Sequence, residues 1–312
     1  MANVFFYQLS YDTGQAPNPF GGVLTFSCCM HEIRAKAEVG DWLVGLGSEK
    51  LDQKIIQLNS GQRNLDLETS DGKIIYAMQI SSLKTFQKYV EYIDELGDDD
   101  PLKVKTPELP PISALHNKEG DAIYRFTDDG DITALPCLHL GAKIDDAKML
   151  HEIAHTDIVV GKNVLLSNKF VYFGKNFKLP EPALSETIGK LDLTTTVGGV
   201  SCTNFRVLSL ETNPHIEKAL DKIISTYGLN SVLADPCIDL LPTEGLTEKK
   251  LDSHIMEILS HPSSSMLQMF ADFTGGKILV EDDVQKLAVE DDNSKSVEKV
   301  SKPMNSCITI RW

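Results

Sequence analysis

The chain has 312 residues, of which 42% are hydrophobic and 24% charged, and its formal net charge is −15 at pH 7. This length suffices for two ordinary domains or one large one, and no apolar run reaches the roughly 18 residues that span a bilayer. Residues 1–90 carry 8 basic and 9 acidic side chains. Because non-specific binding to duplex DNA depends on a dense basic face, we expect no strong non-specific duplex binding and no membrane partner.

The spacing of the cysteines and the first ten residues both indicate the cellular compartment. The first residues, MANVFFYQLS, lack a basic stretch followed by an apolar one, and they predict a strand instead. The cysteines show no paired spacing, which is typical of a reducing cytoplasm rather than of a disulfide framework. We therefore expect a cytoplasmic protein. The six cysteines are Cys28, Cys29, Cys137, Cys202, Cys237 and Cys307.

Short strands and a few helices alternate along the chain. β-branched and aromatic residues predict strands at VFFYQLS, GVLTFSCC, DWLVGLG and KIIYAMQI. FQKYVEYIDEL has apolar residues at helical spacing, with Thr85 as its N-cap. DAIYRF, ITALPC, NVLLSNKFVYFG and TNFRVLSL predict further strands, and HIEKALDKIISTYG predicts a helix that ends at Gly228. LTEKKLDSHIMEILSH and SSSMLQMFADFTGG predict two more helices, and CITIRW predicts a terminal strand.

The segment YDTGQAPNPFGG, residues 11–22, predicts a rigid loop before the second strand. Pro17 and Pro19 fix φ, and the three glycines of the segment permit positive φ. Asn18 precedes a proline and is therefore pushed to extended geometry. Rigid polar loops beside strands often carry binding sites. The alternative is a structural turn in which Asn18 bonds its own backbone.

Several segments occur together in a characteristic order over roughly residues 5–180: DTGQAPNPFGG, LTFSCC followed by Ile33 and Arg34, VGDWLVGLGS, KIIYAMQI, GDAIYRF and VLLSNKFVYFG. They resemble the nucleotide modification associated domain 2 family, found in phages and bacteria near genes that modify DNA bases. The chain departs from that family at Ala122, where asparagine is expected, and at Gln15, where an aromatic residue is usual. The resemblance implies recognition or processing of a nucleotide or modified base, in DNA base modification or phage–host conflict. The partner would be such a nucleotide, or a modified base in nucleic acid.

GDWLVGLGS followed by the strand KIIYAMQI is also similar to the PUA-like and EVE-like modules, which bind a modified base. Many short strands with few helices indicate a compact mixed α+β fold with a barrel-like, PUA-like sheet domain. We expect this domain at residues 1–185. Residues 186–312 would add a helical extension with an acidic segment and the terminal strand.

A nucleotide pocket in this domain would use polar and aromatic side chains near the motif loops. Trp42 would stack on a base, Arg34 would contact a phosphate, and Asp12 and Asn18 would supply polar contacts beside Trp42 around one cavity. The alternatives are a core position for Trp42 and pairing of Arg34 with a nearby acid, Asp41 or Glu38. The candidate nucleotide-binding residues are Asp12, Asn18, Phe20, Arg34, Asp41, Trp42, Gly47, Ser48, Tyr76, Asp121, Tyr124 and His139.

The sequence shows no complete set of acid, base and nucleophile, so binding and catalysis both stay open. For an enzyme, the titratable candidates near the motif loops are Asp12, Asp41, Asp121 and His139. No catalytic role and no cofactor is assigned to any of them. A protein–protein interaction scaffold that uses the acidic second half of the chain is a further alternative.

Cys28, Cys29 and His31 suggest a metal site at first sight. Adjacent cysteines on a strand point to opposite faces of the sheet, and a structural zinc site needs a second ligand pair at suitable spacing. We therefore predict no metal there.

The segment HEIAH, residues 151–155, suggests a different metal site. On a helix, His151 and His155 lie one turn apart and could bind zinc, with Glu152 as the general base. A third ligand would have to follow, for which Asp157, Glu181 and Glu186 are the candidates. A zinc-dependent hydrolase is thus the alternative function, and surface histidines on a short amphipathic helix are the simpler explanation.

Overall fold

The computed structural model describes residues 2–58, 69–107, 120–126, 131–135, 137, 139–140, 147–197, 200–203, 205–238, 277–279 and 309–311. By its contacts the chain divides into two compact units, residues 1–195 with 203–261, and residues 196–202 with 262–312. A division near residue 185 stays a prediction. Within the described part, no helix combines the length and the apolar character needed to cross a membrane.

The described strands are, in chain order, β1 (Asn3–Gln8), β2 (Leu24–Phe26), β3 (Trp42–Leu46), β4 (Ile74–Gln79), β5 (Ser82–Thr85), β6 (Tyr124–Phe126), β7 (Ile132–Ala134), β8 (Asn163–Ser167), β9 (Lys169–Tyr172), β10 (Thr194–Val197), β11 (Val200–Thr203), β12 (Phe205–Ser209), β13 (Ser231–Val232), β14 (Lys277–Leu279) and β15 (Thr309–Arg311). The described α-helices are α1 (His31–Lys36), α2 (Glu49–Leu58), α3 (Phe86–Asp94), α4 (Ala147–His155), α5 (Pro182–Ile188) and α6 (Pro214–Tyr227). A π-helical segment, Thr156–Val160, continues α4.

The first unit is built around a six-stranded sheet with the strand order β12-β1-β3-β4-β9-β13. β1 pairs in parallel with β3, placing Val4 opposite Trp42, and antiparallel with β12. Alternate residues of a strand point to opposite faces, so Phe6 and its neighbour Tyr7 belong to different hydrophobic clusters. The sheet is therefore buried on both faces.

Two different layers cover these faces. On the Phe6 face, α5 and α6 contribute Leu184 and Leu220 to the core. On the Tyr7 face lies a second, three-stranded sheet with the order β2-β8-β5, from which Phe26 and Leu165 pack against the first sheet. The rigid loop, β2 and α1 all lie between β1 and β3 in the sequence, so the parallel crossover carries the turn between β2 and α1 onto this second face.

The α+β class is confirmed, with several sheets and six described α-helices. The strands that the structure describes do not close into a barrel, because β12 and β13 stand at the two ends of the large sheet. The PUA-like barrel is therefore not confirmed.

Local signals located most of the described elements. The hydroxyl of Thr85 accepts the backbone N–H of Lys88 and caps α3 as predicted, and α6 ends at Gly228 with φ of 91°. The strand predicted at GVLTFSCC stops at Phe26, before either cysteine. The helices predicted at LTEKKLDSHIMEILSH and SSSMLQMFADFTGG lie outside the described residues.

Candidate functional site

The turn between β2 and α1 brings two thiols to one side of the chain. Cys28 and Cys29 follow the end of β2, and Cys29 and Met30 have φ of 63° and 40°. Non-glycine residues rarely adopt this left-handed conformation, which costs about 1–3 kcal/mol and is concentrated at functional sites. Because the two cysteines are not in a strand, the expectation that they point to opposite faces is wrong. Their Sγ atoms and a ring nitrogen of His139 all lie within 4.8 Å of one another.

His139 links this turn to a buried carboxylate. Its Nε2 lies 2.8 Å from Oδ2 of Asp157, and the two side chains are 7% and 1% exposed. Asp157 lies in the first turn of the π-helical segment after α4, a type of helical irregularity that occurs frequently at functional sites. Cys29, His139 and Asp157 therefore form a continuous thiol–imidazole–carboxylate chain.

Arg34 fixes both ends of that chain. Its Nη2 donates to Oδ1 of Asp157 at 2.7 Å, and its Nε donates to the backbone oxygen of Cys29 at 2.9 Å. Tyr124 donates from its hydroxyl to Oδ2 of Asp157 at 2.6 Å. Arg34 and Asp157 are both fully buried, and a buried ion pair holds its geometry only when further hydrogen bonds satisfy it, as they do here. Arg34 thus pairs with an acid, as the alternative expected, but the acid is Asp157 and not the predicted Asp41 or Glu38.

Charges and hydrogen bonds set the protonation of the chain. The hydrogen bond with Cys28, and then the hydrogen bond and positive charge of His139, lower the pKa of Cys29 to about 5, although burial opposes this shift. Burial would also lower the pKa of His139, but the charge and hydrogen bond of Asp157 raise it to about 10. At neutral pH the half-buried Cys29 is therefore a thiolate beside an imidazolium. The thiolate is the nucleophilic form of cysteine.

The rigid N-terminal loop also reaches this site. The backbone N–H of His139 donates to Oε1 of Gln15 at 2.9 Å, and Gln15 is only 5% exposed. Gln15 follows Gly14, which has φ of 84°, a value that glycine adopts without strain. The loop therefore contributes Gln15 to the site, while the polar contacts predicted from Asp12 and Asn18 lie elsewhere.

The same turn has the donor set of a metal site. Two thiols and one imidazole suit zinc or another thiophilic ion. Metal-binding histidines usually also hold a carboxylate, and His139 holds Asp157 through Nε2. Cys28, Cys29 and His139 could therefore hold such an ion with three protein ligands, whereas the sequence suggested His31 as the third member and led us to predict no metal.

Asn18 and Asp121 belong to a second buried polar cluster. Asn18 Nδ2 donates to Oδ1 of Asp121 at 3.0 Å, and Nζ of Lys105 donates to the backbone oxygen of Asn18 at 2.7 Å. Tyr89 donates to the other carboxylate oxygen of Asp121. Burial lowers the pKa of Lys105 to about 7 and raises that of Asp121. Asn18 Oδ1 also accepts the backbone N–H of Phe20 at 3.2 Å. The local turn that was the alternative prediction for Asn18 is therefore present.

Asp12, Asp41 and Trp42 lie in other surroundings. Asp12 accepts the hydroxyl of Tyr172 at 2.6 Å and the backbone N–H of Cys237 at 2.9 Å. Asp41 accepts the backbone N–H of Asn3 at 2.7 Å. Trp42 is fully buried in the core on the Phe6 face of the large sheet. Asp12, Asn18 and Trp42 thus belong to three separate sets of contacts.

The remaining predicted residues have packing roles in the structure. Ser48 donates to the backbone oxygen of Leu9 at 2.6 Å and accepts the N–H of Leu51, so it caps the start of α2. A Cβ at Gly47 would overlap the backbone of Ser70. Tyr76 shares a 2.8 Å hydrogen bond with the hydroxyl of Tyr7 inside the core.

Of the twelve predicted residues, Arg34, Tyr124 and His139 meet around Asp157, and Asn18 and Asp121 meet around Lys105. A role in nucleotide binding stays a prediction for the whole set. Sequence reasoning did not place Cys29 among the candidate residues. The signal was present in FSCC, where the cysteines follow a strand and precede a short charged helix.

The HEIAH segment forms the C-terminal part of α4. His151 and His155 are exposed, and Oε1 of Glu152 lies 3.9 Å from Nζ of Lys148. Within the described ranges, neither histidine belongs to a group of three closely spaced metal-ligating side chains.

The family model of nucleotide modification associated domain 2 matches residues 1–198, which include Cys29, His139 and Asp157. No curated protein and no solved structure matches the chain. Because the match spans more than half of the 312 residues, the chain belongs to the nucleotide modification associated domain 2 family.

Proposed function

We propose that the protein processes a nucleotide or a modified base by nucleophilic catalysis at Cys29, in DNA base modification or phage–host conflict. The observation that carries this proposal is the chain from the half-buried Cys29 through His139 to the buried Asp157. A nucleophile beside a base that a third group orients is the common arrangement of covalent catalysis. The family supports the nucleotide part of the proposal.

The three side chains have distinct roles in such a reaction. The Cys29 thiolate attacks an electrophilic carbon of the substrate, and the electron pair of the broken bond leaves with the departing group. The His139 imidazolium gives its proton to that group. Neutral His139 then takes a proton from water, whose oxygen displaces the thiolate and releases the product. Asp157 stabilises the imidazolium and fixes the ring orientation throughout.

Arg34 and Tyr124 support the site as positioning residues, because both are buried and both contact Asp157. Arg34 also holds the backbone of Cys29, and so it keeps the thiolate and the carboxylate in one frame. Residues that lock the orientation of a catalytic group in this way support the precise geometry that the chemistry requires.

A ligand screen followed by turnover measurements tests this function. The purified protein is screened by thermal shift against nucleotides that include hypermodified bases, and products of any stabilising ligand are followed by mass spectrometry. We expect turnover that Cys29→Ser and Asp157→Asn reduce by at least about 100-fold. Asp221→Asn, an exposed carboxylate paired with Lys169, is the matched control and keeps the full rate. Failure of every nucleotide to bind, or full turnover by Cys29→Ser, would contradict the proposal.

The closeness of Cys28, Cys29 and His139 favours one further candidate function, metal-assisted hydrolysis. There, the ion would activate water as in zinc enzymes with an open coordination position. Elemental analysis of the purified protein separates the two. One zinc per chain that Cys28→Ser removes supports the metal centre, whereas metal-free protein with full turnover supports the thiolate. Tight ligand binding without any product would favour recognition over processing.

A further inference from the structure

Gln15 has a donor that the packing of the site leaves unused. The side-chain oxygen accepts the backbone N–H of His139. Because a backbone N–H can only donate, the atom that it meets must be Oε1, and this fixes which end of the amide is the nitrogen. Nε2 is shielded from solvent and has no hydrogen-bond partner among the residues that the structure describes.

An unpaired donor at this depth is unusual. Buried polar groups are nearly always hydrogen-bonded, because burial without a partner is costly. Gln15 is 95% buried, given its 5% exposed surface, and its amide carbon carries both the oxygen held by His139 and the unused nitrogen. The same His139 has a ring nitrogen within 4.8 Å of the Cys29 sulfur. Through Oε1, Gln15 is thus bonded to the residue whose ring lies next to the nucleophile, and its second amide atom has no partner among the described residues.

We propose that Gln15 donates from Nε2 to a carbonyl oxygen of the substrate, so that the carbon attacked by Cys29 is a carbonyl carbon. The substrate class is then an amide, an ester or a ring carbonyl carried by the base. Side-chain amides serve as oxyanion donors in sites that exclude water, because a fixed donor stabilises the charge that develops on the oxygen. This inference rests on the proposed function of Cys29 and specifies its substrate.

The step is the attack of the thiolate on the carbonyl carbon. A carbon–sulfur bond forms, and the π electrons of the carbonyl move to its oxygen. Nε2 of Gln15 donates a hydrogen bond to that oxygen. The electrons then return, the departing group leaves with the electron pair of its bond and takes the proton of the His139 imidazolium, and a thioester at Cys29 remains. Each electron pair is accounted for by the substrate and the thiolate, without an oxidant or a reductant.

Two reagents test the inference on the full chain. p-Nitrophenyl acetate acylates a thiolate through a carbonyl and releases coloured nitrophenolate, whereas methyl methanethiosulfonate modifies a thiolate without any carbonyl. Peptide mass spectrometry assigns each product to Cys29 among the six cysteines. Gln15→Glu keeps an oxygen for the N–H of His139 but loses the amide donor, and Gln15→Leu loses both. Thermal unfolding confirms that each variant is folded.

We expect both variants to acylate Cys29 about 100-fold more slowly, with the rate of methylthiolation unchanged. Normal acylation in Gln15→Glu with slow acylation in Gln15→Leu would overturn the inference, since Gln15 would then act only by holding His139. Slowing of both reactions would overturn it too, because Gln15 would then act on the thiolate. Wild-type protein that reacts with the thiosulfonate but not with the ester refutes this inference alone. Reaction with neither reagent refutes the proposed function of Cys29 as well.

Discussion

At the scale of single residues, Asp157 is the centre of the site. Its two carboxylate oxygens accept from Arg34, Tyr124 and His139, so it is held from three elements that are far apart in the sequence. Burial raises the pKa of a carboxyl, but the charge and hydrogen bond of His139, together with Arg34, keep that of Asp157 below its usual value. The carboxylate therefore stays charged and keeps His139 protonated.

The ionisation of Cys29 can be read from its reactivity. We expect the rate of alkylation of Cys29 by iodoacetamide to rise through a midpoint near pH 5 and then to level off, because the thiolate is already formed there. An ordinary thiol gains reactivity up to about pH 8.5. His139→Asn removes a hydrogen bond and a positive charge, so the midpoint should move towards that ordinary value. A wild-type midpoint at the ordinary value would contradict the thiolate–imidazolium pair.

At the scale of elements, the site depends on a close approach between α1 and the π-helical segment. Arg34 lies on α1, and Gly161 caps the π-helical segment that carries Asp157. A Cβ at Gly161 would overlap the guanidinium of Arg34 and lie 2.7 Å from the backbone oxygen of Asp157. Glycine is required at this position by contact rather than by its backbone angle.

Gly161→Ala should therefore separate the two elements. We expect a loss of about 1–3 kcal/mol in the free energy of unfolding, as for other overpacked interiors, together with slower alkylation of Cys29. Gly97→Ala is the matched control, because a Cβ there meets no atom within 4 Å. Urea unfolding of both variants measures the difference. Equal free energies of unfolding for the two variants would show that α1 and the π-helical segment can move apart without loss of stability.

Local sequence predicted the elements better than it predicted the site. The cap at Thr85 and the stop at Gly228 are local signals, and the structure has both. Cys29, by contrast, meets His139 from 110 residues further along the chain, and spacing carries no information on such a contact. Cys29 has a left-handed backbone although it is not a glycine, so no local residue signalled this conformation. Successive side chains alternate between the two faces of the sheet within β1, but this alternation does not extend to the turn after β2.

At the scale of the whole molecule, buried ionisable groups make stability depend on pH. Lys105 has a pKa of about 7 in the folded chain because burial disfavours its charge, whereas an unfolded lysine has a pKa of about 10.4. Between these values the unfolded chain binds a proton that the folded chain does not. Lys105 therefore makes the free energy of unfolding rise with pH across this window.

The contribution of Lys105 to the pH dependence of stability can be isolated by comparing the wild-type protein with a variant that lacks this lysine. His139, with a pKa raised to about 10, acts in the opposite direction, because its stabilisation is lost as the pH rises through that value. Asp121, whose pKa is also raised, loses stabilisation with rising pH from the acid range upwards. We expect Lys105→Met to remove a rise of up to about 1.4 kcal/mol per pH unit between pH 7 and 10. Chemical unfolding of both proteins across this range measures it, and parallel pH profiles would show that Lys105 is charged when folded.

The order of the large sheet has a consequence for where the protein can be shortened. The family match ends at residue 198, but β12, at residues 205–209, pairs with β1 from Asn3↔Ser209 to Tyr7↔Phe205. A chain cut at residue 198 would lose that neighbour and α6, whose Ile216 and Leu220 are completely buried. The amide row along β1 and the apolar surface beneath α6 would both meet water, a combination that promotes self-association. The smallest piece able to fold as a unit is accordingly larger than the stretch that identifies the family.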